Sequence, residues 1–210
     1  MSSIPTPTLK RLPMYYRELQ RVIEKGVKKI SSTDLGVALE LPPTQVRKDL
    51  SFIADQGRPG VGYHPERLAN TIKDCLSLTA PKKAALVGVG NLAHALIHFP
   101  GFQEYGLEIH YLFDNDAGKV GSVISGITVQ SIDKLTETLK HSKVPVGIIT
   151  VPSSAAQQVA DAMSEGGVRS IWNFAPLTIK VPDTVFVLNQ DLSVELAVLS
   201  YQTTHSNDTR

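Results

Sequence analysis

The fold of this chain follows from one stretch, Ala84-Ala-Leu-Val-Gly-Val-Gly-Asn-Leu-Ala-His94, in which an apolar segment meets a helical pattern across two glycines. The segment before the glycines is apolar throughout, which is typical of a strand covered on both faces of a parallel sheet. Gly88 and Gly90 take the first two positions of the pattern G-x-G-x-x-G/A, and Ala93 takes the third. Such residues permit a tight turn, close approach of a pyrophosphate, and close helix–sheet packing, in that order. The stretch predicts a dinucleotide-binding turn, with a purely structural turn as the alternative.

A second apolar segment, residues 107–113, supports this interpretation because it ends at Asp114, at the expected distance downstream. A carboxylate there can accept both hydroxyls of an adenosine ribose and would repel a 2′-phosphate, which favours NAD(H) over NADP(H). Asp116 is the alternative for this role. The helix after the glycines would direct its unpaired N–H groups and positive dipole end at the pyrophosphate. The expected cofactor contacts in this turn are Gly88, Val89, Gly90, Asn91, Leu92 and Ala93.

The alternation of helices and strands continues beyond this turn. Three further apolar segments predict strands at residues 146–151, 170–173 and 185–188. Ligands of open α/β sheets bind beyond the carboxyl ends of the strands, so the residues that follow these segments should lie beside the glycine turn. The candidates for contacts with the nicotinamide half of the cofactor are Thr150, Pro152, Asn173 and Pro176. The alternative is that these residues only shape the loops in which they lie.

The first third of the chain predicts a small helical domain. After a loose arm over residues 1–9, helical spacing runs from about Lys10 to a stop at Gly26. The segment Ser31-Ser-Thr-Asp34 resembles a capping box that opens a second helix. A third helix is predicted over residues 44–53, after a tight turn with two prolines. Helices joined in this way form a helix-turn-helix.

A glycine-rich segment and a further helix complete this domain. Residues 56–63 contain three glycines and suit a tight hairpin, or wing, while residues 65–78 return to helical spacing. A break over residues 79–83 separates the two domains. We therefore expect an α/β protein, with a winged helix-turn-helix domain over residues 1–80 and a Rossmann domain over residues 81–188.

Composition narrows the range of partners. Residues 1–80 hold twelve Lys and Arg against eight Asp and Glu, whereas residues 81–210 hold nine against twelve. The basic half is thus the candidate for a polyanionic partner. A single cysteine, Cys75, excludes an internal disulfide and any multi-cysteine metal site. The sequence shows neither a secretory signal nor an apolar run long enough for a bilayer, so we expect a soluble, cytoplasmic protein without a membrane partner.

The C-terminal segment predicts an unusual helix over residues 189–203, which Asn189 or Asp191 can cap. It is apolar nearly all round, and such a helix must be buried. A single Rossmann domain has no obvious position for it, so we expect it to be exchanged between the subunits of a two-fold homodimer. Docking on its own chain is the alternative. The polar tail from Gln202, including residues 204–210, is expected to be disordered.

Several motifs taken together resemble the Rex family of redox-sensing transcriptional repressors. The resemblance covers residues 10–203 and implies a winged-helix DNA-binding domain, an NAD(H)-binding Rossmann domain, and a homodimer with exchanged C-terminal helices. It also implies release from double-stranded operator DNA when NADH binds. The motifs are Gln45-Val-Arg-Lys-Asp-Leu-Ser-Phe52, Gly60-Val-Gly-Tyr63, Gly88-Val-Gly-Asn-Leu-Ala93, Pro100-Gly-Phe102 and Asn173-Phe-Ala-Pro176.

This resemblance assigns roles to residues in both domains. An arginine of the first helix and an aspartate at the start of the exchanged helix pair in the absence of NADH, and here they correspond to Arg17 and Asp191. The implied cofactor site adds Phe99, Phe174 and Ala175 to the residues named above. The implied DNA contacts, from the recognition helix and the wing, are Thr44, Gln45, Arg47, Lys48, Ser51, Arg58, Gly60 and Tyr63.

The sequence departs from the family pattern at three positions. Phe99 replaces a frequent tyrosine that senses the nicotinamide, so no hydroxyl is available there. Ala93 stands for the usual third glycine, and Pro59 alters the tip of the wing.

Asp49 is expected to stabilise its helix or orient an arginine rather than to read a base.

Three other functions are alternatives. His94 and His98 are spaced to share a metal ion, but no carboxylate or cysteine nearby completes a site, so no metal is expected. An NAD-dependent dehydrogenase would need a catalytic domain that closes over the nicotinamide, and only one apolar helix follows Leu188; we therefore expect no enzymatic activity. A CoA- or nucleotide-binding module is the remaining alternative, because the same turn serves other pyrophosphates.

Overall fold

The computed structural model describes residues 4–53 and 62–205 of the 210-residue chain. The chain divides into two compact units, Met1–Ala80 and Pro81–Arg210.

The described residues of the N-terminal unit form four helices around one apolar core. Leu12, Tyr15 and Leu19 of the first helix are fully buried against residues of the other three. The second helix opens with the predicted capping box, in which the Ser31 hydroxyl accepts from the Asp34 N–H and the Asp34 carboxylate accepts from the Ser31 N–H. The helices are α1 (Thr6–Glu24), α2 (Ser32–Leu39), α3 (Pro43–Ser51) and α4 (Pro65–Cys75).

Helix α1 begins earlier than the sequence predicts, so the expectation of a loose arm over residues 1–9 is wrong from Thr6 onward. Prolines at the start of a helix cost little, because their missing N–H would be unpaired there in any case. Pro7 lies in the first turn, and the next residue, Thr8, is buried with its hydroxyl donating to Asp49. This tertiary contact holds the extra turn.

The C-terminal unit is a seven-stranded sheet of order β3-β4-β2-β1-β5-β6-β7. All neighbouring pairs are parallel except the edge pair β3–β4. Without β3, this order is that of a Rossmann fold, and it reverses between β1 and β5, where such folds bind their ligand. The strands are β1 (Lys82–Val87), β2 (Leu107–Asp114), β3 (Val123–Ile124), β4 (Ile127–Ser131), β5 (Val146–Ile149), β6 (Ser170–Asn173) and β7 (Phe186–Asn189).

Helices cover both faces of the sheet. On one face, α7 (Leu135–Ser142), preceded by a short 3₁₀ turn, and α8 (Ser153–Glu165) enclose a core around Phe113 and Ile149. On the other face, α5 (Asn91–Ile97) and α6 (Gly101–Glu104) pack Ala93 and Phe102 against alternate strand residues. The sequence did not indicate the β3–β4 hairpin or α6, because each is too short for a periodic pattern.

The last helix, α9 (Leu192–His205), has no buried residue. Its apolar side chains, such as Leu196 at 64% exposure, lie open along its length. The helix also continues through residues 202–205, so the expected disorder from Gln202 is wrong for these four residues. Among the described residues, no helix combines the length and the apolar character needed to cross a bilayer.

Candidate functional site

The glycine turn after β1 contains two glycines with different structural requirements. Gly88 has a φ of +97°, and a Cβ there would lie 2.7 Å from Val151 Cγ1 and 2.9 Å from the Thr150 carbonyl oxygen. The conformation and packing of the chain itself therefore require glycine at position 88. Gly90 has extended backbone angles, and a Cβ there would meet nothing within 4 Å. Neither conformation nor packing within the described residues explains Gly90, whereas a ligand lying against the backbone would.

A cavity of about 430 Å³ opens beside this turn. It lies between the ends of β1 and β2 and the start of α8, and Gly88, Asp114 and Pro152 contribute to its wall. Ile132 and Gln158 also line it, although no motif in the sequence marks either residue. Ile132 precedes β5 in the chain and Gln158 follows it, and nothing in the sequence pattern relates these two positions. The cavity lies where a Rossmann fold holds the adenosine half of its ligand.

Asp114 is buried at the edge of this cavity and is bound to the glycine turn. Its carboxylate accepts from the N–H groups of Val89 (2.7 Å) and Asp116 (2.9 Å), and its Oδ2 lies 3.2 Å from Lys119 Nζ. Burial by itself would raise the pKa of Asp114, but these donors and the Lys119 charge outweigh it and lower the pKa. The group is thus an anionic acceptor. Asp116, by contrast, is exposed, and its side chain accepts from the Gly118 N–H.

Thr150 and Asn173 hold the ends of β5 and β6 rather than pointing free groups outward. The Thr150 hydroxyl lies 2.8 Å from the Gly88 carbonyl oxygen and 3.1 Å from that of Val87. The fully buried Asn173 amide donates to the Leu177 carbonyl and the Asn189 side chain, and it accepts from the Ala175 N–H. Through these hydrogen bonds, both side chains fix the position of the backbone at the rim of the crevice. Pro152 and Pro176 are exposed there, and Ala175 is buried.

An aromatic row joins the Pro-Gly-Phe turn to the Asn-Phe-Ala-Pro turn. Phe99, 54% exposed, packs edge-on against Phe102 with ring centroids 5.5 Å apart. Phe102 in turn approaches Trp172 at 5.9 Å, and Trp172 approaches Phe174 at 4.7 Å. The buried Trp172 Nε1 has no hydrogen-bond partner among the residues that the structure describes. The sequence pattern indicates only a strand residue at Trp172, and only the folded structure brings its ring beside Phe102 and Phe174.

His94 and His98 do not form a metal site with other residues that the structure describes. Both ring nitrogens of His98 already face other groups: Nδ1 lies 2.7 Å from the His94 carbonyl oxygen and Nε2 lies 3.0 Å from the Ser125 hydroxyl.

In the N-terminal unit, α3 presents polar residues to solvent from a firmly held position. The Arg47 guanidinium donates to the Ser32 hydroxyl, and the Ser51 hydroxyl donates to the Lys48 carbonyl. Gln45 is half-buried, while the exposed side chains of this helix are Thr44, Arg47, Lys48 and Ser51. The helix therefore offers two exposed cations, Arg47 and Lys48, and several hydrogen-bonding groups on one surface.

Asp49, on the inner side of α3, is fully buried and accepts five hydrogen bonds. Arg11 donates through Nε (2.6 Å) and Nη2 (2.8 Å), and the Tyr15 hydroxyl donates at 2.8 Å. Thr8 and Gln45 supply the remaining two bonds, each of 2.9 Å. Asp49 thus orients an arginine as the sequence analysis allowed, but the arginine lies in α1, 38 residues away in the chain.

These contacts set the charge state of the cluster. Burial would raise the pKa of Asp49, but the hydrogen bonds from Arg11, Tyr15, Thr8 and Gln45 outweigh burial and lower the pKa to about 2. The same pairing raises the pKa of Arg11, and burial together with the bond to Asp49 raises that of Tyr15. Asp49 is therefore a carboxylate at neutral pH, and α3 is tied to α1 by an ion pair.

Two of the expected wing residues, Arg58 and Gly60, lie outside the described residues. Tyr63, expected in the wing, is 9% exposed and belongs to the core. Its backbone N–H and carbonyl both pair with Ile30. Tyr63 therefore anchors the end of the glycine-rich segment, and its side chain is directed inward.

The two residues of the expected switch lie in different units. Arg17 is exposed on α1. Asp191 precedes α9, where its carboxylate accepts from the Ser193 hydroxyl and N–H, and these bonds lower its pKa.

Two family models match the chain, one on each unit. The model described as "Putative DNA-binding protein N-terminus" matches residues 3–51, and the model described as "CoA binding domain" matches residues 79–177. The first covers the helices up to α3, and the second covers the glycine turn and the crevice.

Curated relatives match nearly the whole chain. A protein named redox-sensing transcriptional repressor Rex from Desulfitobacterium hafniense is 42% identical over 94% of this chain and 94% of its own length. The protein of the same name from Streptomyces coelicolor is 40% identical over 94% of this chain and 77% of its own length.

Solved structures agree with these relatives. The structure of RSP in complex with beta-NAD+ and operator DNA has a TM-score of 0.93 and 30% identity, and covers 99% of this chain and 95% of that chain. The structure of RSP in complex with beta-NADH has a TM-score of 0.87 and 29% identity, with 99% and 97% covered. The relatives match both units, the glycine turn and α3 in one continuous alignment, so the chain belongs to the Rex family of redox-sensing transcriptional repressors.

Proposed function

We propose that this chain is a redox-sensing transcriptional repressor, which binds double-stranded operator DNA as a homodimer and releases it when NADH is bound. The observation that carries the proposal is the match over 99% of the chain to a Rex-family structure described with both β-NAD+ and operator DNA. The sites derived above supply the chemistry. The protein would act in the cytoplasm, where bacterial DNA lies.

The crevice of the C-terminal unit fits NAD(H). Gly90 leaves the backbone open for a pyrophosphate, and the turn from Gly88 to Ala93 would hold it. Asp114 is an anionic acceptor in the wall of the adjoining cavity, where it would bind the ribose hydroxyls of the adenosine half. The exposed Phe99 and the Asn173-Phe-Ala-Pro176 turn would border the nicotinamide half. A 2′-phosphate would meet the Asp114 carboxylate, so NADP(H) should bind poorly.

The N-terminal unit fits duplex DNA. In helix-turn-helix proteins the second helix enters the major groove, and the N-terminal residues of that helix contact base edges. Here that helix is α3, with Thr44, Gln45 and Arg47 toward its start. Lys48 and Ser51 follow and suit phosphate contacts. Arg58 and Gly60 of the wing segment are proposed as further DNA contacts, whereas Tyr63 anchors that segment through the core. Phosphate contacts give orientation, and base contacts give sequence preference.

Dimerisation through α9 accounts for the exposed apolar surface. Along α9 and at Phe186 of β7, large apolar side chains are more than half exposed in the single chain. Exposure on this scale marks a protein interface, and an exchanged helix in a two-fold dimer would bury it. Two α3 helices related by that axis would then enter major grooves about one turn of DNA apart.

The redox signal lies in the charge of the cofactor, since the oxidised nicotinamide is cationic and the reduced form is neutral. Asp191 would favour the cationic form, and an apolar group such as Phe99 would favour the neutral one. Arg17 would pair with the partner's Asp191 in the DNA-binding state. Moving a dimer from about 99% to 1% DNA-competent requires roughly 5.5 kcal/mol, which two bound cofactors can share.

An operator titration against the NADH/NAD+ ratio tests the proposal. A duplex selected by the protein from a random library is labelled, and its affinity is measured by fluorescence anisotropy at constant total cofactor. We expect the affinity to fall by at least about tenfold as NADH replaces NAD+, and to respond little to the NADPH/NADP+ ratio. An affinity independent of the NADH/NAD+ ratio would contradict the proposal. Steady consumption of NADH in the presence of candidate substrates would instead favour an oxidoreductase.

A further inference from the structure

The contact between Gln45 and Asp49 bears on how α3 would read DNA. Gln45 lies in the first turn of α3, and its Nε2 donates to Asp49 Oδ1 at 2.9 Å. An ionised carboxylate has only acceptors, so it can face only the NH₂ group of the amide and not the carbonyl oxygen. The amide of Gln45 therefore has one orientation as long as Asp49 stays in place.

Asp49 is itself prevented from moving. It is fully buried, and the Thr8, Arg11 and Tyr15 side chains of α1 donate four hydrogen bonds to it. Each of these three groups belongs to a helix that packs against the same core. A carboxylate with this many donors cannot rotate without leaving buried donors unpaired, which is costly.

The fixed amide has two groups left for a ligand. Nε2 keeps one of its two hydrogens as a donor, and Oε1 has no hydrogen-bond partner among residues 4–53 and 62–205. Gln45 is half-buried, whereas its neighbours Thr44 and Arg47 are exposed. The side chain thus combines a buried attachment with an acceptor and a donor that remain available side by side.

The major-groove edges of the bases differ in their response to such a pair. Adenine offers a donor at N6 beside an acceptor at N7, which matches an amide oxygen and an amide N–H. Guanine offers acceptors at both N7 and O6, so the fixed Oε1 would face another hydrogen-bond acceptor and could form no bond with it. A freely rotating glutamine could turn its NH₂ toward guanine, and the bond to Asp49 removes that option.

Given the DNA-binding function proposed above, we propose that Gln45 is a specificity-determining residue that reads one adenine in each operator half-site, and that Asp49 is the positioning residue that sets the orientation of its amide.

Replacement of single adenines by 7-deazaadenine tests the first part. The full-length protein first selects its operator from a randomised duplex library, and each adenine of that operator is then replaced in turn. The replacement removes the N7 acceptor and leaves base pairing intact. For wild-type protein, we expect one position per half-site at which affinity falls by about fivefold or more.

The Gln45→Ala variant should bind the modified and unmodified operators equally well. The Ser51→Ala variant, on the same helix, should keep the wild-type loss at that adenine, whatever its overall affinity. If Gln45→Ala shows the same loss as wild type, or if no adenine shows a loss, the proposal is overturned. A wild-type protein that enriches no sequence at all would overturn the proposed function, and this inference with it.

Two variants around Asp49 test its positioning role by base preference rather than by affinity. In Asp49→Asn the facing amide can donate as well as accept, so Gln45 can turn, and preference for adenine over guanine at that position should fall by about fivefold. Tyr15→Phe removes one hydrogen bond to Asp49 but leaves its contact with Gln45, so the preference should persist. An unchanged preference in a folded Asp49→Asn protein would refute the role. If Asp49→Asn does not fold, Tyr15→Phe provides the test, because this variant keeps the contact between Asp49 and Gln45. Loss of the preference for adenine in folded Tyr15→Phe would refute the positioning role.

Discussion

At the scale of single residues, the two glycines of the cofactor turn illustrate two different reasons for a missing side chain. Gly88 is required by the chain itself, because its φ is +97° and a Cβ would lie within 3 Å of Val151 and of the Thr150 backbone. Gly90 has an extended backbone, and a Cβ there would meet none of the described residues within 4 Å, so an approaching ligand is the reason that fits this glycine.

Alanine substitutions should therefore separate stability from binding. Gly88→Ala should reduce the free energy of unfolding by about 1–3 kcal/mol, because of the strained φ and the steric overlap. Gly90→Ala should leave stability unchanged or raise it by roughly 0.5 kcal/mol, while weakening NADH binding at least about tenfold. Thermal unfolding and an NADH fluorescence titration measure the two quantities. Unimpaired NADH binding by Gly90→Ala would show that the pyrophosphate does not lie against this residue.

Asp49 gives a prediction on pH. Its pKa of about 2 in the folded protein lies below the usual value of about 3.9 for an unfolded chain, so its contribution to stability is present above pH 4. That contribution, about 2–3 kcal/mol, should be lost as the pH falls through the folded pKa, between about pH 4 and pH 2. Urea unfolding followed by circular dichroism should show that the stability difference between wild type and Asp49→Asn shrinks over this range. A difference that is constant with pH would show that Asp49 is not a stabilising carboxylate.

At the scale of elements, α9 differs from the other α-helices that the structure describes. Each of the other eight described α-helices has at least one buried residue, whereas α9 has none. An apolar helix exposed to water is unfavourable by about 25 cal/mol for each square ångström of apolar surface. This cost is removed only if α9 packs against another surface, which we propose to be a second subunit.

A charge placed on α9 tests that proposal. Leu196 is 64% exposed in the single chain, so Leu196→Glu should leave the fold of each subunit intact. In the dimer it would bury two carboxylates in place of two leucines, and we expect dimerisation to weaken by about 3 kcal/mol or more. Sedimentation velocity and circular dichroism would show monomers with unchanged helix content. The neighbouring substitution Glu195→Gln is the control and should stay dimeric; a stable Leu196→Glu dimer would exclude α9 from the interface.

At the scale of the whole molecule, the two units differ in charge in the way that their proposed partners demand. The excess of basic residues lies in residues 1–80, and the excess of acidic residues lies in residues 81–210. Operator binding by the basic units should release counterions and depend steeply on salt.

The salt dependence also reports on the number of subunits bound. Each phosphate contact contributes about 0.9 to the slope of log affinity against log salt concentration. If Lys48 contacts one phosphate in each subunit, Lys48→Ala should reduce the slope of the dimer by about 1.8, measured by anisotropy from 50 to 200 mM salt. A reduction of about 0.9 would indicate one bound α3 per operator. No reduction would remove Lys48 from the phosphate contacts.

Apart from α6 and the first turn of α1, the local patterns of the sequence determined the described helices. They also determined the long strands, the capping box at Ser31, the glycine turn and the acid at Asp114. Each of these depends on residues close in the chain, for which periodicity and turn chemistry are sufficient. Membership of the family was also evident from short motifs, of which the run around Arg47 was the most specific.

Only the tertiary structure decided which residues act together across the chain. It brought Thr8 and Arg11 to Asp49, which extended α1 and fixed Gln45, and it placed Trp172 beside Phe102. Such contacts join positions tens of residues apart, where no periodicity relates one residue to the other. Whether a buried carboxylate is paired, or a glycine faces protein or open space, depends on the packing of whole elements, and packing is settled only when the chain has folded.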